Sequence, residues 1–224
     1  MRRIIVAISG VAQAGKDTLA QPLIKQGFQH GSFATNLKEM CQQVFHLSPV
    51  LTDTQDGKKK RLEIPRRLTN EALKEIIRWM GKTHDMSHKA QAIEAIREKY
   101  IIEPTVKTGK TTEFNTAREL LQLVGTDICR EIIPTYHIDV LISKISNSPS
   151  TNWTITDARF ANERDALRSL GALTVLIKRP GLVSEVPAHI SESSLGNDDE
   201  YDVVVINNST IEALQEQAKV FTKL

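Results

Sequence analysis

Four short, largely apolar segments are separated by polar residues along the chain. They read RIIVAIS (3–9), WTITDARF (153–160), ALTVLIK (172–178) and YDVVVIN (201–207). Short β-branched runs of this kind predict strands buried in a sheet. Apolar residues at helical spacing follow the first segment up to Gly27, and helical patterns follow two of the later ones. This order predicts an α/β fold with a parallel sheet flanked by helices.

Residues 46 to about 115 follow a different pattern. The stretches DGKKKRLEIPRR, NEALKEIIRWM and SHKAQAIEAIREKY are highly charged, with apolar residues at helical spacing in the last two. We interpret 46–115 as a mostly helical insertion, and 1–45 with 116–224 as the core. After the insertion, TARELLQLVGTDICREII predicts a long amphipathic helix and IDVLISKI predicts another.

Composition and charge favour an ordinary globular protein in the cytoplasm. Of the 224 residues 40% are hydrophobic, and 29 basic residues against 27 acidic ones give a net charge of +2. This balance favours neither nucleic acid nor a membrane surface as a partner. Cys41 and Cys129 lie far apart and are interpreted as buried thiols in a reducing compartment. The oligomeric state is left open, with a homodimer as one option.

Two other charged groups are interpreted as solvent-facing. His84 and His88 are four residues apart beside Asp85, but no third ligand is placed for zinc, so we interpret them as solvated helix histidines. The basic stretch GKKKR lacks interleaved aromatic residues, which favours a solvated face over nucleic-acid binding.

The segment between the first strand and the first helix fits the phosphate-loop pattern G-x-x-x-x-G-K. Glycines let the backbone N–H groups turn inward, and the helix N-terminus adds positive potential for phosphate oxygens. Lysine then adds a charge near the β- and γ-phosphates. We assign nucleotide binding to Gly10, Ala12, Ala14, Gly15, Lys16, Asp17 and Thr18.

A second Gly-Lys-Thr-Thr sequence occurs in KTGKTT (107–112). It has Pro104 where the first glycine belongs and no strand before it, so we reject it as a second phosphate loop. A solvated loop or a lid over the phosphates is left open for these residues.

Asp17 stands where the phosphate-loop pattern usually has Ser or Thr, whose hydroxyl contacts Mg²⁺. A carboxylate also offers the oxygen ligands that Mg²⁺ prefers, so Asp17 is our candidate metal ligand, with Thr18 bonding a phosphate. The alternative is that Asp17 only complements the helix dipole.

The segment TDARFANERDAL places Asp157 and Arg159 just after a buried strand. Ligands bind at this edge of a parallel sheet. Asp157 can orient Mg²⁺ or its waters, and Arg159 can reach phosphoryl oxygens with its planar fork. Glu163 either holds Arg159, binds a sugar or base, or complements the next helix dipole.

These motifs and their order resemble the bacteriophage-type deoxynucleoside monophosphate kinases, relatives of adenylate kinase. The resemblance rests on GVAQAGKDT, TARELLQLVGTDICR, DARFANERDAL and HISESSLGNDDEYDVVVINNSTIEAL and is weakest over 46–115. It implies a P-loop kinase fold with an acceptor-binding or lid insertion, and ATP, Mg²⁺ and a deoxynucleoside monophosphate as ligands. In that family the Gly-Lys-Asp-Thr loop is usual.

The resemblance also implies roles for individual residues. Lys16, Asp17 and Thr18 would handle the donor phosphates, while Asp157, Arg159 and Glu163 would face the acceptor. The acceptor side would also include Lys38, Arg118, Gln122 and Arg130. Relatives tend to carry a tryptophan after this helix, where the chain reads PTYHIDVL, so Tyr136 or His137 is a candidate for stacking on the base. Asn207 and Asn208 are candidates for a contact with the donor adenine, or form a turn and helix cap.

The function predicted from all of this is ATP-dependent phosphorylation of deoxynucleoside monophosphates, with Lys16, Asp17, Asp157 and Arg159 as catalytic residues. Two alternatives stay open. One is a small-molecule kinase resembling dephospho-coenzyme A kinase. The other is an NTP-binding regulator that signals through its insertion.

Overall fold

The computed structural model describes residues 3–102, 113–182 and 195–222. The stretch KTGKTT and residues 189–194 of the motif HISESSLGNDDE lie outside the described residues. The chain forms two compact units, one of Met1–Phe33 with Leu141–Leu224 and one of Ala34–Val140. The predicted insertion (46–115) lies within the second unit, and its role in acceptor binding or closure stays a prediction.

The first unit contains a five-stranded sheet whose strands all pair in parallel. Its order is β2-β5-β1-β6-β7, and the confirmed α/β prediction rests on this topology. β1 is buried along its whole length, as its apolar run predicts. The strands are β1 (Ile5–Ser9), β2 (Gln29–Gly31), β5 (Trp153–Ile155), β6 (Leu173–Lys178) and β7 (Val203–Ile206).

Three helices contact this sheet. They are α1 (Lys16–Lys25), α9 (Ala161–Ser169) and α10 (Ile211–Ala218). Two of them, α1 and α10, form the first hydrophobic core with the sheet. Leu19 and Leu23 of α1 join Ile8 of β1, Ile177 of β6 and Leu214 of α10 in one buried cluster. Because this cluster covers the sheet beside β1, it fixes where the chain leaves β1 and enters α1. Residues 198–200 and 219–222 form short 3₁₀ turns.

The second unit is mainly helical around its own core. Its helices are α2 (Thr35–Phe45), α3 (Pro49–Asp53), α4 (Gln55–Lys59), α5 (Asn70–Met80), α6 (Ala90–Arg97), α7 (Ala117–Gln122) and the start of α8 (Tyr136–Ser146). Met40, Ile76, Leu120 and Ile128 are fully buried in this core.

A two-stranded antiparallel sheet in the second unit is missing from the sequence prediction. It pairs β3 (Arg61–Arg67) with β4 (Glu113–Thr116). In β3 only Leu62 is buried, so the segment lacks the apolar alternation by which a strand is recognised. Pro65 lies inside the strand, at a point where the pairing register shifts.

The amphipathic helix predicted from TARELLQLVGTDICREII is only partly an α-helix. α7 ends at Gln122, and Leu123–Arg130 continues it as a π-helix. A second π-helix follows α6 at Glu98–Ile102. Because a π-helix bonds i to i+5, α-helical spacing does not describe where Arg130 lies relative to Arg118 and Gln122.

The prediction that His84 and His88 lie on a helix is also wrong, because residues 81–89 form turns between α5 and α6. His84 Nε2 lies 3.1 Å from Asp139 Oδ2, while His88 is exposed. Over the described ranges, no group of three His, Cys, Asp or Glu side chains is placed to hold a metal ion.

In the parts of the chain that the structure describes, no helix has both the length and the apolar character needed to cross a membrane.

Both cysteines are buried thiols without a disulfide, as predicted. Burial raises the pKa of Cys41 to about 12 and raises the pKa of Cys129 as well, because a buried thiolate loses its hydration. We therefore expect no reaction of the native protein with a chromogenic disulfide reagent at pH 8, and reaction of both thiols after unfolding in denaturant. As a control, Ser150→Cys adds a thiol at an exposed turn and should react at once. Equal reaction rates for Cys41, Cys129 and the added thiol in the folded variant would contradict this expectation.

Candidate active site

The glycine loop runs from the end of β1 to the start of α1. Gln13 and Gly15 adopt left-handed backbone conformations, with φ of 62° and 106°. Alternation of right- and left-handed residues turns successive N–H groups toward one point and forms an anion-binding nest. The first turn of α1 adds its own backbone N–H groups and the positive end of the helix dipole. The loop is thus built to hold an anionic group.

Lys16 is the first residue of α1, and its side chain turns back over the loop. Its Nζ donates hydrogen bonds to the carbonyl oxygens of Gly10 and Val11, both at 2.8 Å. These bonds hold the ammonium group above the loop backbone. A positive charge at that place neutralises phosphate oxygens bound in the loop.

A cavity of about 380 Å³ opens beside the loop within the first unit. Lys16, Asp17 and Thr18 line it from the loop side, as the sequence predicts. The sequence reasoning missed most of the opposite wall. Its full lining comprises Gln13, Gly15, Lys16, Asp17, Thr18, Arg179, Asn207, Ser209, Ile211 and Leu214.

Asn207 closes one side of the cavity just after β7. Its Nδ2 donates to the carbonyl oxygen of Ala14 at 2.8 Å, which ties the loop to the end of the strand. The neighbouring Asn208 is exposed and does not line the cavity. Of the two predicted asparagines, Asn207 is therefore the one that contacts the loop, and a contact of Asn208 with the donor stays a prediction.

Among the cavity residues that sequence reasoning missed, Arg179 has the clearest signal in the sequence. It directly follows β6, at the same carboxyl edge of the sheet as the glycine loop. Its Nη1 lies 3.4 Å from the carbonyl oxygen of Gln13. The strand ALTVLIK was predicted, so a search for cations after each strand would have found Arg179.

Asp157 lies two residues after β5, next to β1 in the sheet, and is held by the chain that follows β2. Its Oδ2 accepts from Ser32 Oγ at 2.6 Å and its Oδ1 accepts from the backbone N–H of Phe33 at 3.0 Å. The ends of β1, β2 and β5 therefore meet at one edge. Asp157 and the glycine loop follow adjacent strands. The sequence predicts only that Asp157 comes just after a buried strand.

Arg159 and Glu163 lie at the start of α9. Glu163 is only 3% exposed, and its Oε2 accepts from the backbone N–H groups of Arg159 and Phe160 at 2.9 and 3.2 Å. Glu163 thus caps the helix and fixes the backbone of Arg159, whose side chain is exposed. This geometry fits two of the predicted alternatives, a hold on the Arg159 backbone and a place at the positive end of the α9 dipole.

Four of the predicted acceptor residues, Lys38, Arg118, Gln122 and Arg130, lie in the second unit. Lys38 on α2 pairs with Asp53 at 3.3 Å, and Arg118 on α7 has a long contact of 3.4 Å with Gln55. Gln122 is exposed and Arg130 is partly buried. A contact at 3.4 Å is weak, so Arg118 keeps most of its capacity to bind an anion.

A capping box sets the start of α7 and with it the position of Arg118. Thr116 Oγ1 accepts from the N–H of Glu119 at 3.2 Å, and Glu119 Oε2 accepts from the N–H of Thr116 at 2.9 Å. This reciprocal pair ends β4 and begins the helix.

Tyr136 and His137 were predicted as candidates for stacking on a base, but both rings are buried. Tyr136 is fully buried and His137 is 5% exposed. Burial raises the pKa of Tyr136 to about 12, and its hydroxyl accepts from Asn36 Nδ2 at 3.0 Å. His137 Nε2 lies 3.2 Å from the carbonyl oxygen of Gly125. Stacking of either ring on a nucleobase stays a prediction, and the burial of both rings argues against it.

A parallel sheet, a nest of backbone amides and a lysine at the following helix define a P-loop protein of the kinase type. The profile of the deoxynucleotide monophosphate kinase family matches residues 4–218. The chain belongs to this family. The predicted deoxynucleoside monophosphate kinase is thereby confirmed over the two alternatives.

Two curated relatives cover most of the chain. A protein of Acanthamoeba polyphaga mimivirus, which carries the provisional name of a deoxynucleotide monophosphate kinase, is 28% identical over 228 residues, 96% of this chain and 93% of that protein. The deoxynucleoside-5'-monophosphate kinase of Escherichia phage T5 is 25% identical over 210 residues, 83% of this chain and 78% of that protein.

Among solved structures, a dephospho-CoA kinase from Campylobacter jejuni superposes with a TM-score of 0.45 at 10% identity, over 98% of this chain and 95% of that one. An unliganded sugar kinase from Janibacter sp. gives a TM-score of 0.42 at 13% identity, over 100% of this chain and 95% of that one. Similarity at this level carries no argument about the site.

Gly15→Ala should abolish nucleotide binding. A Cβ at this position would lie 2.7 Å from Asn207 Nδ2 and 3.1 Å from Leu214 Cδ2, so the loop would have to move away from the strand end. Calorimetric titration with ATP measures the loss.

Gly27→Ala is the matched control, because Gly27 also has positive φ but a Cβ there meets nothing within 4 Å. It should cost on the order of 1 kcal/mol of stability and leave ATP affinity unchanged. If both variants lose ATP affinity equally, backbone strain rather than the contact with Asn207 explains the effect.

Proposed function

We propose that this protein transfers the γ-phosphoryl group of ATP to deoxynucleoside monophosphates. The observation that carries the proposal is the phosphate nest with Lys16 beside a cavity at the carboxyl edge of the sheet. The names of its relatives, deoxynucleotide and deoxynucleoside-5'-monophosphate kinases, support this acceptor class. Its ligands would be small nucleotides.

On the donor side, the loop amides and Lys16 would hold the β- and γ-phosphates. The base and sugar would occupy the cavity between Arg179 and Ile211, whose exposed apolar side chain suits a nucleobase. The bonds from Lys16 to the loop carbonyls would exchange for bonds to phosphate oxygens. Such positioning and charge neutralisation account for most of the catalysis in phosphoryl transfer.

The residues at the loop fit Mg²⁺. Asp17 is exposed and lines the cavity at the start of α1, and Asp157 follows the strand next to β1. Mg²⁺ is commonly bound by one or two carboxylates, substrate phosphates and waters rather than by a protein cage. Bound there, the ion would neutralise charge on the phosphate oxygens. Asp17 is proposed as the ligand, directly or through water.

The acceptor phosphate would itself be the nucleophile. Its oxygens are ionised near pH 7, so the reaction requires no general base. Arg159, fixed through its backbone by Glu163, would contact the transferring or acceptor phosphate with its exposed guanidinium. In the second unit, Lys38, Arg118, Gln122 and Arg130 are proposed to hold the acceptor nucleotide.

The decisive experiment is an ADP-release assay with ATP and each ribo- and deoxynucleoside monophosphate in turn. We expect release that depends on a deoxynucleoside monophosphate, and a fall of at least about a hundredfold in Lys16→Ala because transition-state charge is lost. Lys25→Ala removes an exposed lysine from the last turn of the same helix and should leave the rate unchanged. ADP release that is independent of every acceptor would contradict the proposal and favour the regulator.

Asp17→Asn tests the metal role. It keeps the size and one oxygen but removes the negative charge, so turnover should fall and the Mg²⁺ concentration for half-maximal rate should rise. Asp17→Ser recreates the usual hydroxyl and should restore part of the activity. If Asp17 only complements the helix dipole, the Asn variant loses roughly 0.3 to 1 kcal/mol of stability and its Mg²⁺ titration overlays that of the wild type.

A further inference from the structure

The π-helical segment Leu123–Arg130 sits between the proposed acceptor residues. Arg118 and Gln122 precede it on α7, and Arg130 is its last residue. Five of its eight residues are buried, so its backbone is enclosed by the second unit's core. The conformation of this segment decides the direction in which Arg130 points relative to Arg118.

Two neighbours meet the π-helix at Gly125. A Cβ on Gly125 would lie 2.7 Å from Leu37 Cδ2 and 3.7 Å from His137 Nε2, so the missing side chain lets α2 and α8 reach the same turn. Leu37 directly precedes Lys38, another proposed acceptor residue. Gly125 is therefore a junction through which three elements of the proposed acceptor side are held together.

His137 makes a specific bond at this junction. A backbone carbonyl can only accept, so the 3.2 Å contact between Nε2 and the Gly125 oxygen requires a proton on Nε2. The imidazole is 5% exposed, and its Nε2–H serves a carbonyl inside the irregular part of the helix. Side chains that insert into a helical hydrogen-bond ladder are a known cause of local distortion.

We propose that His137 is a positioning residue that holds the π-helical register of Leu123–Arg130 through the Gly125 carbonyl and thereby aims Arg130 at the acceptor nucleotide. An α-helix advances by about 100° per residue, and a π turn contains one residue more. Relaxation of one π turn to α-helix would rotate Arg130 by about that angle relative to Arg118. The proposal rests on the proposed function for the identity of the ligand.

The test compares His137→Leu with His137→Gln. Both variants lose the ring and its edge contact with Tyr136, but only glutamine keeps an N–H donor. We expect the affinity for the preferred deoxynucleoside monophosphate, measured by calorimetry, to fall about tenfold in the Leu variant and to be largely restored in the Gln variant. ATP affinity should stay unchanged in both, because the phosphate loop belongs to the other compact unit.

His88→Leu is the matched control, since it removes an exposed histidine of the same unit. It should bind both nucleotides like the wild type. A merely structural role for His137 predicts a lower melting temperature for both variants with acceptor affinity unchanged, and that outcome overturns the proposal. Equal loss of acceptor affinity in the Leu and Gln variants overturns it too.

A second measurement does not depend on the ligand. The ¹⁵N spectrum of the wild-type imidazoles should show His137 with its proton on Nε2, and a proton on Nδ1 alone overturns the proposal even if the Leu variant fails to fold. A wild-type protein that binds no deoxynucleoside monophosphate contradicts the proposed function instead. Two measurements then decide whether His137 holds the π register. They are the tautomer of His137 in the wild type and the amide hydrogen exchange of residues 123–130 in the Gln variant.

Discussion

Close contact between the glycine loop and the ends of β6 and β7 is the constraint on which the nucleotide site depends. A Cβ at Gly10 would lie 2.7 Å from the carbonyl oxygen of Ile177, and one at Gly15 would lie 2.7 Å from Asn207 Nδ2. The loop can therefore touch the strand ends only with glycine at these two places. Since Asn207 bonds the Ala14 carbonyl, the loop amides stay turned toward the cavity.

The position of β7 is in turn fixed by polar contacts of the residues that directly precede it. Asp202 accepts from the backbone N–H and the hydroxyl of Thr174, each at 2.7 Å, just before β7 begins. Arg164 on α9 is 4% exposed and donates to the hydroxyl of Tyr201 and to Glu200. The Asn197 backbone N–H and the Arg164 guanidinium lower the pKa of Glu200, which keeps this pair ionised. The segment NDDE (197–200) thus supports the strand that precedes Asn207.

The features that sequence reasoning recovered are those determined by neighbouring residues. A buried strand, a glycine loop and a helix start follow one another within 25 residues, so Lys16 and Asp17 could be placed without the fold. Arg179 directly follows a predicted strand and could have been found in the same way. The pairing of β3 and the π-helix could not, because each depends on contacts between distant segments. Gly125 is an ordinary small residue in the pattern LLQLVGTDICR, and only the approach of Leu37 and His137 explains it.

Tyr136, which is fully buried, and Trp79, which is partly buried, show why an aromatic residue near a predicted ligand-binding helix is a weak predictor of stacking. Asn36 accepts from Trp79 Nε1 at 2.9 Å and donates to the Tyr136 hydroxyl at 3.0 Å, so both rings are anchored by their polar atoms. A buried polar atom must find a partner, and here one amide serves two rings. A ring fixed in this way cannot turn to meet a ligand without leaving its partner unbonded. For the acceptor base that we propose this unit to bind, the polar side chains at its surface are therefore better candidates than these two anchored rings.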